Sequence, residues 1–318
     1  QRTEYVIGYL LGYEWEQSVW SLIPASERLF QLKSAFILLM KQLAVNNKIV
    51  IHIDDPQWID NDSLEFLKEL GREAVPHIHI LCSCRFLENG ERVDLQIPGF
   101  EKKHIDLGQL TPSGSVALIS HLLNETDIPQ NTLNLIIAKS EGNPFFIEQL
   151  TAYLEENNYL GEKYELLKEV DDLSTFSISD IIGTRIDNLT DSVRLTLQNA
   201  SILGMEFNVS LLSSMLNKEI FNELSHGKNN RIWQDLDELH YIFSHVMIKE
   251  ITCQRMLSAK LKELHLLAAT VMEQVYFDKL DKNAESIAFH FLKAEEELKA
   301  ANYYEKAGVY YRENYITD

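Results

Sequence analysis

The sequence predicts a parallel α/β domain followed by a mainly helical remainder. The almost unbroken apolar run 49–53 is typical of a strand covered on both faces of a parallel sheet, and 78–84 is a second candidate for a buried strand. A segment with helical spacing separates them, and the order strand, helix, strand favours parallel pairing. After residue 112 helical periods dominate, so the α/β part is confined to the N-terminal region.

Length and composition limit the classes of protein to which the chain can belong. A chain of 318 residues is long for one domain and favours about two or three. Its hydrophobic fraction of 45% and charged fraction of 24% are typical of soluble globular proteins. No uncharged apolar stretch reaches the ~18 residues of a membrane span, and the N-terminus lacks the basic region of a signal peptide. We therefore expect a cytoplasmic protein that does not enter the membrane.

Charge and cysteine content exclude further classes. There are 48 acidic and 29 basic residues, a net charge of −19, which argues against binding nucleic acid or anionic membranes through the bulk surface. Three cysteines form no disulfide framework and fit a reducing compartment. Cys82 and Cys84 alternate along a predicted strand, but a metal site would need a second ligand cluster, which the sequence lacks.

The other N-terminal elements follow from spacing and turn residues. Asp62, with Glu65 three residues later, forms a capping box at the start of a helix. A tight Pro56-Gln57-Trp58 turn precedes that helix. The predicted elements are, in order, an extended run over 5–11, a helix over 26–44, strands over 49–53, 78–84 and 104–107, and the helix from Asp62.

Two adjacent carboxylates, Asp54 and Asp55, end the first strand. Open α/β sheets bind ligands at the carboxyl ends of their strands. There the pair resembles a Walker B element, in which one carboxylate holds Mg²⁺ and the other orients the attacking water. An ordinary strand-to-turn transition is the alternative, because Asp and Pro are both turn formers.

The C-terminal part is a series of helices. Asn143 caps one of them with Pro144 at its first position. Three compact helices over 179–216 and a β run at 241–245 predict a winged-helix-like domain, without basic residues where DNA would be read. The last helical pair has the alternation of a tetratricopeptide-type repeat. The further helices are predicted over 116–123, 133–138, 256–277, 284–293 and 298–311, with an acidic linker over 155–174.

Several segments resemble one known family, in its order and approximate spacing. IVIHIDDPQWIDNDSLEFL is similar to the "DDLQWAD.ASL" Walker B segment of STAND-class signalling ATPases. SEGNPFFIEQL resembles the family's "GNPFFLEEL", and RIDNLTDSVRLTLQNASILGMEF its "R.D.L....R..L..AAVLG..F". FSHVMIKEITCQRML, followed by Leu264-His265, resembles "F.HDLIREA.Y..L" with a later "LH". STAND proteins are AAA-related modules fused to bacterial transcription regulators, nucleotide cyclases and protein kinases.

The resemblance implies a fold and a division into domains. The fold would be an incomplete α/β parallel-sheet core of the P-loop NTPase type, followed by a helical lid, a winged-helix-like domain and the start of TPR-like repeats. The implied boundaries are 1–112 for the partial nucleotide-binding domain, 113–174 for the lid and linker, 175–255 for the winged-helix-like domain and 256–318 for the repeats.

The resemblance also implies roles for residues of the first domain. Asp54 would be the carboxylate of the Mg²⁺ site, and Asp55 would polarise water. Arg85, after the next strand, would reach the γ-phosphate, where a cation stabilises the negative charge that develops in phosphoryl transfer. A surface arginine at a strand end is the alternative for Arg85.

Further residues would bind the nucleotide from the helical domains. Pro144, in the Gly142-Asn143-Pro144 segment, would pack near the adenine, which is compatible with its role as a helix-start proline. His245 would sense the diphosphate from the winged-helix-like region. A core or wing histidine is an equally good interpretation of His245.

One half of the family's site is missing from the sequence. The phosphate-binding loop G-x-x-x-x-G-K-[ST] cradles phosphates with backbone amides and its lysine, and it is absent. The only Gly-Lys pair, Gly227-Lys228, is followed by Asn229 and lies downstream of the aspartates. Because the chain begins with Gln1, we expect a piece of a longer protein that starts after this loop; a natural loss of nucleotide binding is the other account.

The sequence thus leads to two hypotheses of different classes. The first is an ATP/ADP-dependent switch with Mg²⁺, in which slow ATP hydrolysis and a nucleotide-driven oligomer remain open. The second is a nucleotide-free scaffold that contacts proteins through its C-terminal helical repeats. An attached effector domain or protein partners fit both, whereas DNA binding has only topology in its favour.

Overall fold

The computed structural model describes residues 6–8, 13, 23–86, 91–167 and 177–314. The chain divides into two compact units, one of residues 1–105 with 308–318 and one of residues 106–307. In the part of the chain that is described, no helix is long and apolar enough to cross a membrane. The domain boundaries expected at 112, 174 and 255 stay predictions.

The first unit contains a short parallel sheet with helices on one face. Its elements are α1 (Ala25–Ala44), β1 (Ile49–Asp54), a 3₁₀ turn (Pro56–Trp58), α2 (Asn61–Arg72) and β2 (Ile78–Ser83). The strands pair in parallel, with Ile49 opposite Ile78 and Asp54 opposite Ser83, which confirms the predicted pairing. A small core around Leu70 and Ile78 packs below the sheet.

The opposite face of this sheet is not covered by the residues described. Val50 on β1 is 61% exposed and Leu81 on β2 is 56% exposed, although parallel sheets are normally buried on both faces. The alternation of half-buried and exposed residues along β1 therefore differs from the two-sided burial that the apolar run predicts. A run of Ile and Val alone does not distinguish the two cases.

Three local predictions in this region are corrected. The strand over 104–107 is wrong, because the backbone there has no ladder partner among the described residues and Leu107 is almost fully exposed. The capping box at Asp62 is wrong: Asp60 is the N-cap of α2, and its Oδ1 accepts the Ser63 N–H at 2.8 Å. Within the predicted extended run over 5–11, residues 6–8 are helical and the others lie outside the described residues.

The second unit is helical apart from one small sheet. Its elements are α3 (Pro112–Leu123), α4 (Gln130–Ser140), α5 (Pro144–Glu156), α6 (Ile178–Asp187), α7 (Asp191–Leu203), β3 (Glu206–Asn208), α8 (Val209–Leu216), α9 (Phe221–Asn229), β4 (Trp233–Asp235), β5 (His240–Phe243), α10 (Val246–Gln254), α11 (Ser258–Val275), α12 (Ala284–Lys293) and α13 (Glu297–Asn314). The three strands are antiparallel in the order β3-β5-β4. The predicted helices are present, and of the acidic linker 155–174 residues 168–174 lie outside the described part.

Two apolar clusters organise this unit. The first joins α3, α4 and α5 around Ile119, Ile136 and Ile147. The second joins α6 to α10 with the small sheet, where the Phe207 ring lies 5.6 Å from the rings of both Trp233 and Phe243. Further along, α11 and α12 approach through small side chains, all fully buried: Ala268, Ala269, Ala284 and Ala288.

The strands β3 and β4 and the helices α9 and α10 were not predicted from the sequence, whereas β5 overlaps the β run predicted at 241–245. Residues 217–230 contain several Asn and one Gly, which favour turns. In the structure the Gly227 backbone lies so close to Trp233 that an added Cβ would sit 2.3 Å from the indole ring. Tertiary packing against Trp233 thus stabilises a helix that local propensity disfavours. The β run at 241–245 also ends earlier, because β5 stops at Phe243 and His245 caps α10.

Candidate functional site

The first group of candidate residues lies at the carboxyl end of β1. Asp54 is the last residue of that strand, and Ser83 stands opposite it on β2. The Ser83 hydroxyl donates to Asp54 Oδ1 at 2.6 Å and lies 2.8 Å from His52 Nε2. Because the hydroxyl proton goes to the carboxylate, His52 is the donor to Ser83 Oγ. The parallel register therefore holds the Asp54 carboxylate in a chain of three side chains.

Asp55 begins the turn that follows. Its backbone is left-handed, with φ of 49°, and its N–H donates to the Ser83 carbonyl at 2.7 Å. Asp55 Oδ1 accepts from Gln57 Nε2 at 2.9 Å. Asp tolerates this left-handed geometry better than most residues. Asp55 thus lies in a strand-to-turn transition, as the alternative interpretation expected. This backbone geometry is compatible with a role for its side chain at the sheet edge.

Arg85 follows β2 by two residues and is exposed. The carboxyl ends of parallel strands meet at one edge of a sheet, so Arg85 emerges from the edge that carries Asp54 and Asp55. Cys82 and Cys84, beside it, are exposed free cysteines. Although Cys82 is exposed, partial desolvation of its sulfur, with Cys84 beside it, raises the pKa of the Cys82 thiol and lowers its thiolate fraction.

The oxygen donors at this edge suit Mg²⁺. Proteins usually hold Mg²⁺ through one or two carboxylates while waters and substrate phosphates complete the octahedron. Asp54 and the Ser83 hydroxyl offer ligands of that kind. Within the described ranges no group of three or more His, Cys, Asp and Glu could hold a metal, so an ion here would depend on oxygen ligands from water and from a phosphate.

The second group of candidates lies at the N-terminus of α5. Gly142 has φ of 75°, and a Cβ there would sit 2.5 Å from the Leu110 carbonyl oxygen. The Leu110 N–H donates to the Gly142 carbonyl at 2.8 Å. Asn143 is the N-cap, accepting the Phe146 N–H at 3.1 Å, and Pro144 is the first helical residue. The predicted helix start is confirmed, and glycine is required before it.

His245 lies beside this helix start. It is the N-cap of α10, and its Nδ1 accepts the Met247 N–H at 3.1 Å. Its ring stacks on Phe145, with 3.7 Å between ring centroids and 12° between planes. The structure thus brings His245 next to the Gly142-Asn143-Pro144 segment although about 100 residues separate them in sequence. Phe145 was not a sequence candidate, and only its place in the NPFF segment pointed to it.

Two helix N-termini meet at this ring pair. The helices α5 and α10 begin at Pro144 and Val246, on either side of the Phe145–His245 stack. The side chains of Asn143 and His245 already accept one first-turn N–H each, and the positive end of each helix dipole favours an anion. The arrangement therefore offers an aromatic surface beside an electrostatically positive one. The two groups of candidates belong to different compact units and are each described within their own unit.

Comparison with known proteins gives a structural match and no sequence match. No family model matches the chain, and no curated protein matches it. A solved STAND signal transduction ATPase with a tetratricopeptide repeat sensor, from Pyrococcus horikoshii, matches with a TM-score of 0.55 at 11% identity. The match covers 94% of this chain and 47% of that protein, so the chain spans about half of its structural neighbour. The chain therefore has a STAND-like fold, with a small parallel sheet followed by helical domains.

Proposed function

We propose that the chain is the nucleotide-dependent switch module of a multidomain cytoplasmic signalling protein, with ATP or ADP and Mg²⁺ as its ligands. The observation that carries the proposal is the acidic pair, Asp54 and Asp55, at the ligand-binding edge of a parallel sheet within a STAND-like fold. Open α/β sheets bind ligands at this edge. Nucleotide-dependent rearrangement of the helical domains would then control an attached effector.

The roles at the sheet edge follow from the side chains present. Asp54, held by Ser83, would bind Mg²⁺ directly or through water, and Asp55 would orient a water molecule. Arg85 would place its cation beside the terminal phosphate. Bound Mg²⁺ would supply charge neutralisation for the phosphates.

The roles in the helical unit follow from the ring pair. Within this unit, Pro144 and Phe145 would offer an apolar surface for an aromatic base, and the N-termini of α5 and α10 would favour an anionic group. His245 connects the apolar surface to the N-terminus of α10, because it stacks on Phe145 and caps α10. A ligand that binds beside the Phe145–His245 ring pair would be coupled to α10 through its contact with His245.

Binding of nucleotide to the Asp54 edge tests the proposal. A fluorescent ADP or ATP analogue is titrated into the chain with Mg²⁺, and the same titration is repeated with Asp54→Asn. We expect the variant to bind Mg·nucleotide on the order of tenfold more weakly, which corresponds to about 1.4 kcal/mol. Asp62→Asn, on α2, is the control, because it removes an exposed carboxylate of the same unit whose partner is Lys33. Equal affinity of the three proteins would contradict the proposal.

A nucleotide-free scaffold is the second candidate. It is favoured by the missing phosphate-binding loop, since that loop supplies most phosphate contacts in P-loop proteins, and by exposed apolar side chains on the helical repeats, such as Phe289 and Leu298. Codons for an intact G-x-x-x-x-G-K-[ST] upstream of residue 1 in the same gene would remove its main support. Absence of nucleotide binding in a protein that carries such a loop would instead favour the scaffold.

A further inference from the structure

Arg185 is a buried cation that ties together three segments of the helical unit. It lies on α6 and is 8% exposed. Its Nε and Nη2 donate to the Glu156 carboxylate at the end of α5, at 2.7 to 3.0 Å. Its Nη1 donates to Gln149 Oε1 on α5, and Nη2 also donates to the Asn230 carbonyl at 2.8 Å, in the turn after α9. All guanidinium nitrogens of Arg185 are thereby engaged.

Gln149 is left with one polar atom unpaired in this cluster. The residue is 1% exposed, and its oxygen is occupied by Arg185. Its Nε2 has no hydrogen-bond acceptor among the described residues. Turning the amide over would place a donor against the donor Nη1, so the contact with Arg185 fixes the orientation. Buried amide groups are almost always paired, and an orphaned donor calls for a missing acceptor.

A cavity of about 20 Å³ has Gln149 in its lining. Four polar residues of the cluster line it, Gln149, Glu156, Arg185 and Asn230, and the rest of the lining is apolar: Ile182, Ile186, Leu189, Ile232 and Ile248. A cavity needs roughly 10–15 Å³ and two to four polar partners to hold a water molecule. This cavity meets both conditions for one water.

The same lining excludes other occupants. A phosphate or carboxylate would be repelled by the Glu156 carboxylate, which lines the cavity. A metal cation would be repelled by the Arg185 guanidinium, which is already paired with the Glu156 carboxylate. An apolar group would leave the Gln149 donor unpaired.

We propose that this cavity is a binding site for one structural water molecule, which accepts from Gln149 Nε2 and donates to the Glu156 carboxylate. The hydrated cluster is the polar joint between the α3–α5 bundle and the bundle of α6 to α10. A second arginine of the same turn, Arg231, supports this joint, since its Nη2 donates to the Leu122 carbonyl of α3 at 3.2 Å. The water completes a set of hydrogen bonds that neither bundle completes alone.

The joint and the aromatic stack hold opposite ends of one helix. The Arg185 cluster binds the C-terminal end of α5 through Glu156, and His245 stacks on Phe145 at its N-terminal end. The inference does not depend on nucleotide binding, because it rests on the contacts of Arg185 and Gln149 alone.

A high-resolution crystal structure of the 318-residue chain tests the site directly. We expect one ordered water within hydrogen-bond distance of Gln149 Nε2 and of a Glu156 carboxylate oxygen. An empty cavity, or a Gln149 Nε2 that donates to a protein acceptor, would overturn the inference. The experiment needs no variant, so it is decisive even where substitutions in the cluster prevent folding.

Solution NMR supplies an independent measurement with a matched control. A long-lived water should give a cross-relaxation signal with the Gln149 side-chain amide protons, and Gln149→Met should remove that water from the count of long-lived hydration sites. Asn199→Leu is the control, because Asn199 is equally buried and also has an unpaired polar atom but does not line the cavity. Loss of the same water in both variants, or in neither, would contradict the assignment.

Discussion

His290, which is buried, and His265, which is half-buried, form a pair between α11 and α12. Their Nδ1 atoms lie 2.9 Å apart, so one ring donates and the other must be an unprotonated acceptor. Burial, with the nearby Lys293 ammonium, lowers the pKa of His265 to about 4. Burial, with His265 beside it, lowers the pKa of His290 to about 4 as well. The pair is therefore neutral in the folded protein near neutral pH.

This pair predicts a loss of stability in mild acid. The folded pKa values of about 4 lie below the ordinary value of 6.5, so the unfolded chain binds more protons between these two pH values. Stability from the pair is thus complete above pH ~6.5 and is lost as the pH falls towards ~4, by an amount on the order of 1–3 kcal/mol for the coupled pair as a whole. Urea unfolding measured across this window checks the prediction.

Two variants distinguish the effect of the His265–His290 pair on the pH dependence of stability from the effects of other titrating groups. In the double variant His265→Gln, His290→Gln the free energy of unfolding should fall less steeply between pH ~6.5 and ~4 than in the wild type. His226→Gln removes an exposed imidazole from α9 and controls for the loss of a histidine elsewhere in the chain. An identical slope in the wild type and in the double variant would show that the pair does not titrate as proposed.

At the level of single residues, the sequence predicted where a residue lies in a strand or helix better than it predicted which side chains that residue contacts. Asp54 and the Asn143-Pro144 helix start were predicted, because each depends on a local pattern. The partnership of Asp54 with Ser83 depends on the register of β1 against β2, which no local pattern specifies. Similarly, Phe145 meets His245 only because two distant helices begin side by side. Whether these residues bind nucleotide stays a prediction.

Among the helices and strands, those with clear stop and start signals were predicted most accurately. The prediction of 284–293 coincides with α12, and Thr190 caps α7 one residue before its first turn. The helix α10 was not predicted at all, since its cap is His245 and the preceding residues have strand-like composition. Histidine is a less common N-cap than Ser, Thr, Asp or Asn, so the local signal was weak.

The turn before α5 predicts a strong effect of one methyl group. Gly142→Ala would strain a backbone with φ of 75° and would press a Cβ against the Leu110 carbonyl, so we expect a loss of roughly 1–3 kcal/mol. Gly308→Ala is the matched control, because no described atom lies within 4 Å of its Cβ position inside α13. That change should stabilise the helix by about 0.5–1 kcal/mol. Thermal denaturation of both variants checks the two signs, and equal effects would contradict the role of Gly142.

At the scale of the whole molecule, the sequence predicted the class of fold but not how the chain divides into two compact units. Strand, helix, strand followed by helical periods indicated the architecture, and the structural neighbour has a STAND-type fold. The division into units at residue 105 and the return of residues 308–318 to the first unit depend on long-range packing. The open face of the small sheet, with Val50 and Leu81 exposed, likewise depends on which chain segments surround it.

The unequal cores of the two units predict different behaviour in isolation. The helical unit contains two apolar clusters with many fully buried side chains, whereas the described core of the first unit is small and one face of its sheet is uncovered. Since apolar burial is the dominant favourable term in folding, a fragment spanning residues 106–314, which keeps α13 whole, should fold alone. We expect helical circular dichroism and cooperative unfolding for this fragment, and poor solubility or non-cooperative unfolding for residues 1–105. A fragment 106–314 that melts without cooperativity would show that its two clusters need the first unit to pack, because a self-contained core unfolds as one transition.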